Sequence, residues 1–364
     1  MTLHSLVTSR APLPVLLFLS LLTGISACEG ELDEQRYKPT TPYAEDMRQG
    51  IQEELDASSV LDASRDDASP AAPEDLGEEV DLTTPSPDDL GQRAQDASPD
   101  MISSGDMPPA LEDMAQPPLP PGCRGPAGLS DGEQTFTLED RARRYILRLP
   151  KNYSPDRAWP IVLALHGNGG NTGYWDTLGG DRDMRTVLEE RAILVVAEAI
   201  DRQWRDYNAD PSTWPARVES ELLYFDHILD TLRQELCVDE ARIFAMGFSG
   251  GGSFSGVLGC RRQEIRAIAV GGSVIYFDPA DCINTPAAWI TIGAGEQAQG
   301  RTDYLEFFRD RAGCQATSTP TTPSPCVAYD GCDLDTPVHY CEHSGAHVWP
   351  SLGTQASWDF FSQF

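Results

Sequence analysis

The segment Ala241-Arg242-Ile243-Phe244-Ala245-Met246 runs straight into Gly247-Phe248-Ser249-Gly250-Gly251, so an apolar strand-like stretch ends in a serine with glycine two places before and two after it. That is the Gly-x-Ser-x-Gly pattern of a nucleophile elbow, in which the serine sits on a strained turn between a strand and a helix. Side chains at the flanking positions would collide in so sharp a turn, and glycine at 247 and 251 removes the collision. A chain that makes this turn is committed to a strand, a helix and a sheet for the strand to join. Any tight turn also favours glycine, so the context must come from the surrounding segments.

Residues 144–149 alternate as a strand does, and residues 159–165 form a continuous apolar run suited to a strand buried on both faces. This run ends in His166-Gly167-Asn168-Gly169-Gly170, too rich in glycine to continue any element. Residues 192–197 read as the next buried strand, 222–236 carry apolar residues at helical spacing, and 242–246 deliver Ser249. Residues 265–270 and 287–292 read as two further central strands. Strands alternating with helical stretches predict an α/β fold, a mostly parallel central sheet with helices on both faces. Ligands of such sheets bind beyond the carboxyl ends of the strands, which is where the chemistry-bearing motifs fall.

The chain opens with Arg10 followed by an apolar run over residues 11–22, too short to span a bilayer and of the length of a signal-peptide core. The run ends in Ile25-Ser26-Ala27-Cys28, which resembles a bacterial lipobox cleaved before a lipidated cysteine. Residues 1–27 are therefore read as a signal peptide, with lipidation at Cys28 or ordinary cleavage near Ala27 as the two outcomes. Either one exports the protein, and a membrane is met only through a lipid at Cys28. Residues 28–122 read as a disordered tether rich in acidic residues, Pro, Ser and Ala. Residues 29–122 hold 24 acidic and 5 basic residues and no aromatic after Tyr43, too little apolar surface to offset the entropy of the chain. Much of the net charge of −30 therefore belongs to a spacer and says little about a substrate. No segment has the spaced ligands and central glycine of a calcium loop.

Residues 123–364 have the length of one α/β domain. They contain eight cysteines, which in an exported chain read as up to four disulfides. Metal ligation is the alternative, but there is no Cys-x-x-Cys pair, and the count leaves 105 connectivities open. With 33 acidic against 21 basic residues and no basic stripe, the domain is a poor nucleic-acid binder.

A serine hydroxyl needs a base, and the base needs a carboxylate to hold its tautomer. In the order serine, acid, histidine, three histidines follow the elbow: His339, His343 and His347. His347 sits between a small-residue loop and a Trp-Pro stop, as befits a fixed loop histidine, with His343 its chief rival. The acid should follow the strand over 287–292; Glu296 is the nearest carboxylate and Asp303 the second choice. The N–H of Gly250 and an N–H of Asn168 or Gly169 are candidate donors to an oxyanion. Trp175, Trp204 and Trp214 are candidates for lining a site, although packing is their commoner use.

Seven landmarks in order now carry a resemblance. They are Arg144-Tyr145-Ile146-Leu147-Arg148-Leu149-Pro150; Leu165-His166-Gly167-Asn168-Gly169-Gly170; Leu236-Cys237-Val238-Asp239; Gly247-Phe248-Ser249-Gly250-Gly251; Ala312-Gly313-Cys314; Tyr329-Asp330-Gly331-Cys332; and Gly345-Ala346-His347-Val348-Trp349-Pro350. Together they resemble the secreted feruloyl esterases and polyhydroxybutyrate depolymerases of carbohydrate esterase family one. The resemblance implies an α/β-hydrolase domain, no cofactor, no metal, and ester hydrolysis through an acyl-enzyme with Ser249 as nucleophile and His347 as base. The family's usual His-Gly-x-x-Asp is replaced here by Gly293-Ala294-Gly295-Glu296-Gln297, which aligns Gln297 with the acid and leaves Glu296 beside it. The implied substrate is a feruloyl or acetyl ester of plant polysaccharide, cleaved by a monomer. A polyester substrate is the alternative within the enzymes, and a surface lipoprotein that has lost catalysis and binds a polymer is the alternative outside them.

Overall fold

The computed structural model describes residues 120–364, apart from 121, 124, 126, 207 and 208. The leader, Cys28 and nearly all of the tether lie outside the described residues.

Among the described residues ten strands form one sheet. They are β1 (Gly132–Leu138), β2 (Arg141–Arg148), β3 (Trp159–Leu165), β4 (Ile193–Ala197), β5 (Val238–Phe248), β6 (Ile265–Gly271), β7 (Ala287–Gly293), β8 (Ser318–Pro320), β9 (Val327–Tyr329) and β10 (Val338–His343). Their spatial order is β1-β2-β4-β3-β5-β6-β7-β10-β9-β8. The central run from β4 to β10 is parallel, and antiparallel strands close both edges. Among the described residues five α-helices accompany it: α1 (Met184–Leu188), α2 (Trp214–Glu235), α3 (Gly250–Arg261), α4 (Gln299–Arg311) and α5 (Gly353–Phe361). A parallel sheet wound on both sides, with a serine turn leading from β5 into α3, is the α/β-hydrolase fold.

The two-residue period of a strand sends alternate side chains to opposite faces. Ile161, Leu163 and Leu165 of β3 pack on one face with Leu222 and Phe225 of α2, Phe254 of α3 and Tyr304 and Phe308 of α4. Val162 and Ala164 pack on the other with Met184 and Leu188 of α1 and Phe360 and Phe361 of α5. Because both faces are covered, β3, β4 and β7 are buried at every residue, which explains the unbroken apolar runs of β3 and β4 and the near-continuous one of β7, where Thr291 donates to the Cys341 carbonyl.

The strand expected at 159–165 has the observed limits, and those at 192–197, 265–270 and 287–292 are each within a residue of them. Helix α2 starts at Trp214, eight residues before the expected start, with proline in its first turn. Its apolar spacing is interrupted by Glu221, a buried residue that pairs with Arg143 at 2.6 Å. Strands β1 and β10 were not expected. β1 is an edge strand with no fully buried residue, and β10 mixes two histidines and a glutamate into only six residues.

All eight cysteines of the domain pair: Cys123 with Cys237, Cys260 with Cys282, Cys314 with Cys332, and Cys326 with Cys341. The metal alternative for these thiols therefore loses its ligands. The first bond closes a separation of 114 residues, fastening the start of the domain just ahead of β5. Cleavage of the unreduced protein and mass mapping should return these four pairs. Replacing Cys123 and Cys237 together by serine should cost about 2–5 kcal/mol in denaturant unfolding, since long loops gain most from closure. A loss below about 1 kcal/mol would contradict that role.

Candidate active site

β5 ends at Phe248 and α3 begins at Gly250, so Ser249 makes the whole turn, with φ 57° and ψ −128°. A non-glycine residue held there costs on the order of 1–3 kcal/mol and persists only when its surroundings fix it. The Ser249 N–H donates to the Gly271 carbonyl at the end of β6 (2.8 Å), and the Ser249 carbonyl accepts from Ser253 N–H in α3 (2.9 Å). A Cβ on Gly247 would overlap the Gly251 carbonyl, and one on Gly251 would overlap the Leu165 and His166 carbonyls. The glycines thus let β5, α3 and the end of β3 meet without side chains between them. The first N–H groups of α3, Gly250 among them, have no partner within the helix and lie at its positive end.

The glycine-rich loop after β3 is fixed from behind. Indole N–H groups of Trp175 and Trp204 donate to the Leu165 and His166 carbonyls at 2.8 and 2.7 Å. Trp214 donates likewise to Asp206 (2.7 Å). Trp175 and Trp204 are fully buried anchors of loop backbone, not site lining. The His166 ring accepts the Ala199 N–H at Nε2 (3.2 Å), so the other nitrogen, Nδ1, is the one that donates to the Gly167 carbonyl (2.6 Å). Burial pushes this histidine below its ordinary range, against the pull of the carbonyl, and keeps it neutral.

The segment around Ala199 is held in turn. The buried Glu221 accepts the Ile200 N–H (2.8 Å), and the Tyr224 hydroxyl accepts the Glu198 N–H (3.1 Å) while donating to the Arg144 carbonyl (2.6 Å). A Cβ on Gly167 would lie 3.9 Å from Ser249 Oγ, and the Asn168 carboxamide rests directly against Gly250. Of the two expected loop donors, Gly169 has its N–H committed to the Arg202 carbonyl (2.9 Å), which leaves Asn168.

β7 and β10 lie side by side in register, with His343 opposite Gly293, so the loops that leave them run together. Gly295 N–H donates to the Gly345 carbonyl (2.9 Å). Glu296 accepts the Gly293 N–H at Oε1 (3.0 Å), while its Oε2 takes a short hydrogen bond from His347 Nδ1. The proton of the neutral ring therefore sits on Nδ1, and Nε2 is buried with no hydrogen-bond partner among the described residues. His347 Cε1 lies 2.7 Å from where a Cβ on Gly272 would stand, and its ring centre is 4.6 Å from that of Phe248. Ser249 and His347 thus flank the Gly271-Gly272 backbone, 8% and 9% exposed.

Gln297, aligned with the family acid, turns outward and donates to the Tyr340 hydroxyl and Glu342 carboxylate at 3.1 and 3.0 Å. Glu296 is the carboxylate on His347, and Asp303 lies on α4. The rival His343 accepts the Gly345 N–H at Nδ1 (3.2 Å) and shapes the loop; burial holds it below its usual range. His339 packs on Phe360 and His227 on Phe136. One residue was missed altogether. Arg301 of α4, 3% exposed, places Nε 2.8 Å from Glu296 Oε2. One arginine of three on a polar helix gives no sequence signal that it turns inward.

The chain has the α/β-hydrolase fold, with a histidine–glutamate pair beside its strained serine turn. Among curated proteins it is similar to feruloyl esterase C of Emericella nidulans, 28% identical over 264 residues that make up 66% of this chain and 90% of that protein. It is likewise similar to feruloyl esterase D of Neurospora crassa, 28% identical over 276 residues, 67% of this chain and 90% of that one. Among solved structures, a carbohydrate-esterase-family-one ferulic acid esterase from Anaeromyces mucronatus overlays with a TM-score of 0.44 at 17% identity, covering 64% of this chain and 89% of that one. No protein-family model matches the chain. The resemblance carried by the seven landmarks is borne out on its feruloyl-esterase side.

Two outcomes test this geometry. Gly251→Ala should destabilise the fold by about 1–3 kcal/mol or more through overpacking. Gly300→Ala, whose new methyl meets Val274 only at ordinary contact distance within α4, should be neutral or stabilising. Equal effects would contradict the close approach at the elbow. The second concerns His166, which titrates near 6.5 when unfolded and lower when buried. The unfolded chain therefore takes up protons that the fold does not, and the neutral ring's contribution is complete above about pH 6.5 and lost as pH falls through that value. Thermal unfolding from pH 7.5 to 5 should decline less steeply in His166→Asn than in wild type; equal slopes would refute the assignment.

Proposed function

We propose that the chain is an exported serine ester hydrolase that cleaves feruloyl esters of plant polysaccharide through an acyl-enzyme. The observation that carries the reading is the seating of His347 between the Glu296 carboxylate and the Ser249 turn. In this reading Ser249 Oγ bonds to the ester carbonyl carbon as its proton passes to His347 Nε2. The imidazolium, steadied by Glu296, then protonates the alcohol oxygen as the C–O bond breaks. Water repeats the sequence, its proton going to His347 and its oxygen to the acyl carbon, and Ser249 leaves with a proton restored. The developing oxyanion is met by the N–H groups of Gly250 and Asn168.

The substrate class is supported by the names of the curated relatives. The Phe248 ring beside His347, with Tyr174 stacked parallel to it at 6.4 Å, is compatible with an aromatic acyl group. Export is supported by the apolar leader in the sequence and by four disulfides in one domain. Lipid attachment at Cys28, the tether over 28–122 and the domain limits of 123–364 belong to the same proposal. The polyester alternative gains no support from the relatives. The binding-protein alternative rested on Gln297 as the acid, and Gln297 faces away from His347.

Hydrolysis of methyl ferulate and para-nitrophenyl acetate by the oxidised full chain is the test. Ser249→Ala should abolish turnover and Glu296→Gln should lower kcat by about 10³–10⁴-fold, as loss of the orienting acid does in triads of this kind. Asp303→Asn should stay within about threefold of wild type, the expectation for a carboxylate outside the acting unit. Turnover retained in Ser249→Ala, or absent from the folded wild type on every ester, would overturn the reading.

A further inference from the structure

Arg301 reaches from the first turn of α4 into the acid end of the site. Its Nε lies 2.8 Å from Glu296 Oε2, the same oxygen that His347 Nδ1 uses, and its Nη2 lies 3.3 Å from Nδ1 itself. A nitrogen whose proton points at a carboxylate cannot also accept from a guanidinium. The second contact is therefore a fixed positive charge held against the imidazole, not a further hydrogen bond. The arginine has little freedom to leave. Its own N–H donates to the Ala298 carbonyl (3.0 Å), and three residues on, the buried Tyr304 hydroxyl donates to the Gly252 carbonyl of α3 (3.2 Å), clamping α4 against the helix behind the serine.

Two consequences follow from that placement. Glutamate has one more rotatable bond than the aspartate usual in this family, so its carboxylate needs more to hold it still. Glu296 has three such restraints, the Gly293 N–H on one oxygen and His347 and Arg301 on the other. The second consequence is electrostatic: a carboxylate beside an imidazole favours the charged ring, and a guanidinium at 3.3 Å opposes it.

Resting on the serine-esterase reading, we propose that Arg301 is a positioning residue of this site, fixing the Glu296 carboxylate on His347 and, by its charge, opposing the protonated form of the ring. His343 and Glu342 at the end of β10 are titratable groups near the pair. His343 is neutral and tied to Gly345, and Glu342 is engaged by Gln297 and Tyr340.

The test is kcat/KM against pH for para-nitrophenyl acetate with wild type, Arg301→Gln and Arg301→Lys in the full chain, each rate normalised to the reactive serines titrated by a fluorophosphonate. Arg301→Gln should move the acid limb upward by on the order of one pH unit, the usual effect of a close charge, with kcat several-fold lower and KM little changed. Arg301→Lys should leave the acid limb near that of wild type, because the charge stays, while kcat falls because the planar fork is gone. An unmoved acid limb in Arg301→Gln, whether activity is kept or uniformly lost, overturns the proposal. Should Arg301→Gln fail to fold, Arg301→Lys decides, and a wild-type kcat in that variant overturns the positioning role. Absence of turnover in the wild type would defeat the esterase reading itself, whereas wild-type turnover with unmoved Arg301 profiles defeats this inference alone.

Discussion

The close approach of three backbones at Ser249 is the constraint on which the rest of the molecule depends. The end of β3, the end of β5 and the first turn of α3 meet so tightly that the Leu165 carbonyl, Gly247 and Gly251 leave no room for a Cβ. That contact sets the height of the serine above the sheet and puts the start of α3 under it. It also brings the glycine loop after β3 to within reach of the serine oxygen. The strain in Ser249 is borne by the sheet, through the hydrogen bond from its N–H to Gly271.

Around this point the polar groups are arranged for position more than for stability. Two indoles and a neutral histidine donate to the carbonyls of Leu165, His166 and Gly167, where β3 runs into the glycine loop, and Glu221, Tyr224 and Arg143 brace the neighbouring segment. Buried ion pairs such as Arg143–Glu221 and Arg301–Glu296 return little net stability, since desolvation offsets most of their attraction. What they supply is a single arrangement of charge. On the acid side, the parallel pairing of β7 and β10 does the same job for the backbone, aligning the loops that carry Glu296 and His347.

The parallel core was legible because β3 and β4 are covered on both faces and read as unbroken apolar runs, while β6 and β7 are broken only by Arg266 and Thr291. Ser249 was legible because its turn demands glycine at fixed offsets, and His347 because a small-residue loop and a Trp-Pro stop mark a fixed position. β10 escaped because its two histidines and glutamate break any alternation in so short a strand. The acid was ambiguous between Glu296, Gln297 and Asp303 for a different reason. A single 3₁₀ turn after β7 decides which of two adjacent side chains faces inward, and nothing in the local sequence encodes that rotation. Arg301 was invisible because its role depends on a helix docking across the site, a tertiary fact without a local pattern. Disulfide connectivity was open for the same reason: the partners lie 15 to 114 residues apart, and only the fold brings them together.

In the proposed mechanism Ser249 is an activated nucleophile because His347 and Glu296 are assembled beside it. Treating the oxidised full chain with a fluorophosphonate at neutral pH and locating the adduct by peptide mass tests this without assuming any substrate. One phosphonyl group per chain is expected, on Ser249, with labelling much slower in His347→Ala. No adduct on the folded protein, or an adduct on another residue, would contradict it.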